Sequence, residues 1–179
     1  MRNGKVRWRP PGTDFTRSVA GTNQNWVVQE FVYTGPWPVS YRVTTLFGEP
    51  IFAVRVEADR GRPQLSHRYD FGARPGLSIA SSGAGCVMSL TDDPRVLSFA
   101  TAAHAAFPTI PLLGVDVLED AETGTLYAIE VNAVGHTWHF SSRPGLRAQR
   151  EFGFDLDAQF DGRRKAARIL ADQVRRHAR

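Results

Sequence analysis

Two carboxylates and an amide stand at spacings suited to holding a hard cation: Asp116, then Glu130 fourteen positions on, then Asn132. They belong to the stretch GVDVLEDAETGTLYAIEVNAVG, residues 114–135, which reads as a hairpin. Val115, Val117 and Leu118 carry its first strand, Glu119 to Gly124 supply an acidic, flexible turn, and Leu126 to Val131 return. Glu130 and Asn132 must share a face, because strand side chains alternate with period 2. Their apolar neighbours Ile129 and Val131 predict burial of these polar groups beside a core. A buried carboxylate is costly unless a cation or a hydrogen-bond donor meets it. Oxygen donors with one or two carboxylates suit Mg²⁺, with water and phosphate oxygens completing its shell. On spacing alone, an ordinary hairpin with a solvated acidic turn accounts for the pattern equally well.

The pattern GVD followed by E-V-N and then a glycine resembles the metal-binding end of the ATP-grasp ligases. A second match lies upstream, VVQEF at 27–31 and YRVTTLFGEPIFAVRVE at 41–57. It is similar to the strand and hairpin from which these enzymes hang adenine and reach the phosphates. The resemblance implies a fold, an α+β chain with an antiparallel sheet and flanking helices, like the C-terminal subdomain of an ATP-grasp module. It implies ATP and Mg²⁺ as cofactors, with Mn²⁺ an alternative, and Asp116, Glu130 and Asn132 as metal ligands. It places Gln29 and Glu30 beside the nucleotide and Arg42 on the transferred phosphate, as both a binding and a catalytic group. An Arg fork suits phosphate, and Arg55 is a weaker candidate for the same work. The implied activity is that of an ADP-forming ligase, in which a carboxylate becomes an acyl-phosphate and an amine or thiol attacks it. A module of the same fold that binds nucleotide or a partner without turnover is the alternative.

The implied division is a partial N-terminal segment over 1–25, the ATP-grasp-like subdomain over 26–160 and a basic C-terminal helix over 161–179. The family's phosphate-gripping lysine and glycine-rich loop have no counterpart before Trp26, where Lys5 is the only lysine and Arg7 and Arg9 are the candidate positive charges. Composition fits a globular chain, with 42% apolar and 22% charged residues. Cys86 stands alone, which excludes an intramolecular disulfide and predicts a reducing, cytoplasmic setting. No stretch has the length and hydropathy of a membrane span. The net charge of +4 is a property of the tail, where residues 161–179 hold seven Lys and Arg against two Asp, leaving −1 for the rest. That concentration argues against a nucleic-acid surface spread over the fold, and a homo-oligomer stays open.

The elements that must position these groups follow from patterning. Trp26 to Val32 reads as a buried strand, and Ser40–Phe47 and Ile51–Glu57 as strands joined through Phe47-Gly48-Glu49-Pro50. Residues 58–80 read as a long loop, and Ser81 to Gly85 as a linker. Asp93-Pro94 predicts a helix start, and Val96, Phe99, Ala100, Ala103 and His104 carry its apolar stripe to about Ala106. His104 there is expected to be packed. His136 and His139 lie just beyond Asn132, where substrate contact is expected over a zinc site, since no third ligand cluster accompanies them. The last part of 149–179 is helical, with Ala166, Ile169, Leu170 and Val174 predicted to dock on the domain.

Overall fold

The computed structural model describes residues 30–61, 63–68, 85–133 and 137–178. Within them five strands form one sheet: β1 (Val39–Leu46), β2 (Glu49–Ala58), β3 (Cys86–Leu90), β4 (Leu112–Glu119) and β5 (Leu126–Asn132). Four helices flank it: α1 (Pro94–Ala105), α2 (Arg143–Phe152), α3 (Leu156–Phe160) and α4 (Gly162–His177). The strand order is β3-β2-β1-β4-β5, and every neighbouring pair is antiparallel. The chain is α+β, as expected.

The β1–β2 hairpin turns through Phe47 and Gly48, both at positive φ (49° and 86°). Two such residues make the turn whose twist matches that of the flanking strands, so the connection is shorter than the four residues expected. Glycine takes the second position without strain, and Phe47 is held by its N–H donating to the Pro111 carbonyl at 2.6 Å. The β4–β5 hairpin closes on Asp120. Its carboxylate accepts from the backbone N–H of Glu122 and Thr123 (2.9 and 3.0 Å), and Gly124 turns at φ 70°.

The two sheet faces carry separate cores. On one, Val43, Ala53, Leu113, Val115 and Val117 pack against Val96 and Ala100 of α1. Helix α1 begins as its sequence demands: the Asp93 carboxylate accepts from Arg95 N–H at 2.8 Å, with Pro94 in the first turn. On the other, Leu46, Ile51, Phe52 and Val54 meet Phe140, Leu156, Ala166 and Ile169. The C-terminal helices rest on β2 and β3. They leave the part of this face over β4 and β5 without a helix. Where β3 stops, the Gln159 side chain continues the ladder. Its Oε1 accepts from Ala53 N–H (2.9 Å), and its Nε2 donates to the carbonyls of Ala53 (3.0 Å) and Thr91 (2.7 Å). A buried strand edge without such partners would cost free energy.

Several expectations are corrected. Residues 30–32 lie in no strand and Glu30 is exposed, because no ladder partner stands beside them among the described residues. Residues 26–29 fall outside the described residues. Strand β3 and helix α2 have no counterpart in the patterning above. On α4, Ala166 and Ile169 are buried, but Leu170 and Val174 are 48% and 65% exposed. The helix meets the sheet through Gly162, Ala166 and Ile169, with Lys165 Nζ donating to the Pro50 carbonyl, and the stripe is wider than the contact.

Candidate functional site

The register decides which polar side chains meet. Arg42 on β1 is directly opposite Asp116 on β4, and Asp116 is directly opposite Glu130 on β5. Directly opposed side chains in adjacent strands lie within about 5 Å of each other at Cβ. Three charged groups thus form a row across three strands, on the face that carries the C-terminal helices. One step along, the row Thr44, Gly114, Asn132 runs parallel to it. A bulge between Asp116 and Val117 leaves Ile129 as the extra residue of β5. Beyond the bulge the register is continuous, so Glu130 and Asn132 share a face by ordinary alternation at the strand's C-terminal end.

Asp116 is the centre of the cluster. Both its oxygens accept from Arg42: Nε donates to Oδ1 at 2.7 Å and Nη2 to Oδ2 at 2.5 Å. Asn132 Nδ2 donates to Oδ2 at 3.3 Å. The Thr137 hydroxyl donates to the Asn132 carbonyl at 3.4 Å, tying the strand end to the next segment. The Arg42 and Asp116 side chains are 27% and 14% exposed, so the pair is half-screened from water. The hydrogen bonds to Asp116 hold the Arg42 guanidinium above its ordinary pKa. Burial opposes that, while the charges of Asp116 and Glu130 add to it. Glu130 is exposed and has no ion-pair partner among the described residues. The expected burial of Glu130 and Asn132 is therefore corrected: Asn132 is half-buried, like Asp116, and Glu130 faces solvent. No helix covers β5.

The donor set suits a hard dication. Two carboxylates and a carboxamide, all oxygen donors, converge on one sheet face with an arginine beside them. The buried Thr44 hydroxyl, two residues along β1 from Arg42 on the same face, has no hydrogen-bond partner among the described residues. An orphaned polar atom beside such a cluster suits a polar ligand. Among the described residues no three His, Cys, Asp or Glu side chains come together.

The remaining candidates separate. Arg55 pairs with Glu57 on its own strand and does not join Asp116. Glu30 is exposed in the segment before β1, and no hydrogen bond or ion pair joins it to the cluster. That segment is fixed by Ala121 N–H donating to the Tyr33 carbonyl (2.8 Å) and Leu65 N–H to that of Pro36 (2.8 Å). Gln29 and His136 lie outside the described residues. His139 stacks on Phe52 with ring centroids 5.8 Å apart, so it belongs to the packed face and not to the open end. His104 is packed as expected, its Nδ1 2.7 Å from Thr45 Oγ1 and its Nε2 2.9 Å from the Ile110 carbonyl. Sequence reasoning did not foresee the pairing of Arg42 with Asp116. Charges of opposite sign on two strands expected to share a sheet were its only advance signal.

No family model and no curated protein matches the chain. Its structural neighbours are ATP-grasp ligases, matched over part of the chain. The ligase PsnB, solved with a minimal precursor, is 16% identical, with 68% of this chain and 35% of that one covered at a TM-score of 0.41. The macrocyclase MdnC from Microcystis aeruginosa, bound with the precursor peptide MdnA, is 14% identical over 62% and 30% at 0.35. D-alanine–D-alanine ligase from Bacillus anthracis, complexed with ATP, is 14% identical over 76% and 42% at 0.38. This chain spans less than half the length of each. At these scores the likeness describes a partial backbone course and carries no chemistry from one chain to the other. Among the described residues no helix is long and apolar enough to cross a membrane.

Proposed function

We propose that this chain is the ATP- and Mg²⁺-binding part of an ADP-forming ligase that joins a carboxylate to an amine or thiol through an acyl-phosphate. The observation that carries this reading is the row Arg42–Asp116–Glu130, with Asn132 beside it, on the part of the sheet face that the C-terminal helices leave open. Asp116, Glu130 and Asn132 are the groups that would hold Mg²⁺, or Mn²⁺ in its place. Such a cation would offset the negative charge of a bound nucleotide's phosphates.

The chain's own residues supply position and charge. Arg42 presents a planar fork able to grip two oxygens of one phosphate and to orient it toward an acceptor carboxylate. Its anchorage on β1, beside a packed half-sheet, limits the freedom it loses on binding. No side-chain nucleophile is required, because proximity and charge stabilisation carry most of the chemistry of phosphoryl transfer. Gln29 and Glu30 stay in the proposal as adenine- or ribose-side contacts.

Calorimetric titration with a non-hydrolysable ATP analogue, with and without Mg²⁺, tests the metal ligands. In Glu130→Gln most of the Mg²⁺-dependent gain in affinity should disappear. An undiminished gain would remove the metal assignment. A second reading, nucleotide binding without turnover, is favoured by one observation: both oxygens of Asp116 are engaged by Arg42. ADP release in the presence of ATP, Mg²⁺ and a panel of carboxylates, amino acids and amines separates the two. Substrate-stimulated ADP formation selects the ligase.

A further inference from the structure

We propose that Arg42 is the resident counter-ion of Asp116, and that the pair opens only when a cation and a phosphate arrive together. The site then selects the metal–phosphate complex over either ion alone. The inference rests on the reading given under Proposed function and concerns how that same site chooses its ligand.

The geometry sets the terms. Arg42 Nε and Nη2 hold the two oxygens of Asp116 at 2.7 and 2.5 Å, and Asn132 Nδ2 adds a third donor to Oδ2 at 3.3 Å. A divalent cation that claims Asp116 must displace Arg42. By itself it would leave a half-buried guanidinium without a counter-charge, next to a dication. A phosphate that claims Arg42 must detach it from Asp116. By itself it would leave two opposed carboxylates, Asp116 and Glu130, facing an added anion. Like charges at this range, partly shielded from water, repel appreciably. When both ions arrive, the partners exchange: Asp116 takes the cation, Arg42 takes the phosphate, and every charge in the row keeps an opposite neighbour.

Glu130 makes the arrangement asymmetric. It is exposed and unpaired among the described residues, opposite Asp116 in the ladder, so it offers a first contact to a cation before Asp116 is free. The consequence is a coupling between the two ligands, and such coupling is reciprocal: each raises the affinity of the other by the same factor.

The test uses the full chain, Mn²⁺ followed by the electron paramagnetic resonance of the free ion, and a non-hydrolysable ATP analogue followed by calorimetry. In the parent, each should raise the affinity of the other by about tenfold or more. Arg42→Gln frees Asp116, so Mn²⁺ alone should bind about fivefold tighter than in the parent, while the analogue alone binds more weakly. Asp116→Asn gives the mirror result: the analogue alone binds tighter than in the parent, and Mn²⁺ binds more weakly. A circular-dichroism melt of each variant confirms that it folds, and either one suffices for the decision. Mn²⁺ and analogue that bind the parent independently of one another would overturn the inference and leave the proposed site standing. So would variants in which neither lone ligand gains affinity. A parent chain that binds neither Mn²⁺ nor the analogue in any combination would overturn both.

Discussion

The two halves of the sheet are built differently. In β2 the consecutive residues Ile51, Phe52, Ala53 and Val54 are all buried, because α1 covers one face and Phe140, Leu156, Ala166 and Ile169 cover the other. In β5 the consecutive residues Tyr127, Ala128, Ile129 and Glu130 are all exposed, and one edge of the strand is unpaired among the described residues. Strand β4 lies between, buried at Val115 and Val117 and half-open at Asp116. The charged row sits at this seam. A site placed there has a rigid half-sheet behind it and solvent access in front, and both are needed by a group that must be precise and reachable. Neither half alone supplies both.

The largest effect that would break this comparison is expected in the covered half. Phe52 is wholly buried and packs on Phe140 with centroids 5.1 Å apart. Phe52→Ala should cost about 3–5 kcal/mol by denaturant unfolding. Ile129→Ala in the open half should cost less than about 1 kcal/mol. Equal losses would show that β5 is covered in solution.

Helix α4 draws the same contrast within one element. Ile169 is 3% exposed and its neighbour Leu170 is 48% exposed. Ile169→Ala should lower stability by about 2–4 kcal/mol, because the cavity it leaves adjoins the packed core.

A pH effect comes next in size. Burial holds the His104 imidazole below its ordinary value of 6.5, against the opposing hydrogen bond to the Ile110 carbonyl. The unfolded chain then binds more protons than the folded one just below that pH. Stability from this group is therefore complete above about pH 6.5 and falls as pH drops through the interval down to the depressed folded-state value. Urea midpoints should decline between pH 7.5 and 5 in the parent. In His104→Gln they should be lower at pH 7.5 and decline less. The smallest effect is at Leu170→Ala, within about 0.5 kcal/mol of the parent, and a larger loss would mean that a partner element covers this stripe.

Much of the covered half was legible before any coordinates. Alternation marked β1 and β2, and Asp93-Pro94 marked the start of α1. Helix α2 was missed because Pro144-Gly145 reads as a breaker. Yet Ser142 accepts from Gly145 N–H at 3.3 Å and a proline sits in the first turn, which is an ordinary helix start. Strand β3 was missed because CVMSL is short and follows a glycine-rich stretch. In the site, period 2 placed Glu130 and Asn132 on one face correctly. Exposure was misjudged because it depends on how far the C-terminal helices reach, and no local pattern encodes that. The Arg42–Asp116 pair joins residues 74 positions apart and depends on β1 pairing with β4 in one register. A shift of one residue would have put the two side chains on opposite faces.

Hydrogen–deuterium exchange on the full chain, with Mg²⁺ and a non-hydrolysable ATP analogue added together, addresses the central claim most directly. Exchange should slow in β4 and β5, residues 112–119 and 126–132, and in the part of β1 around Arg42. Strand β2, already covered on both faces, should be unchanged. Exchange that stays the same in the β4–β5 hairpin, or protection confined to the covered half, would contradict the assignment of the site to the open half of the sheet.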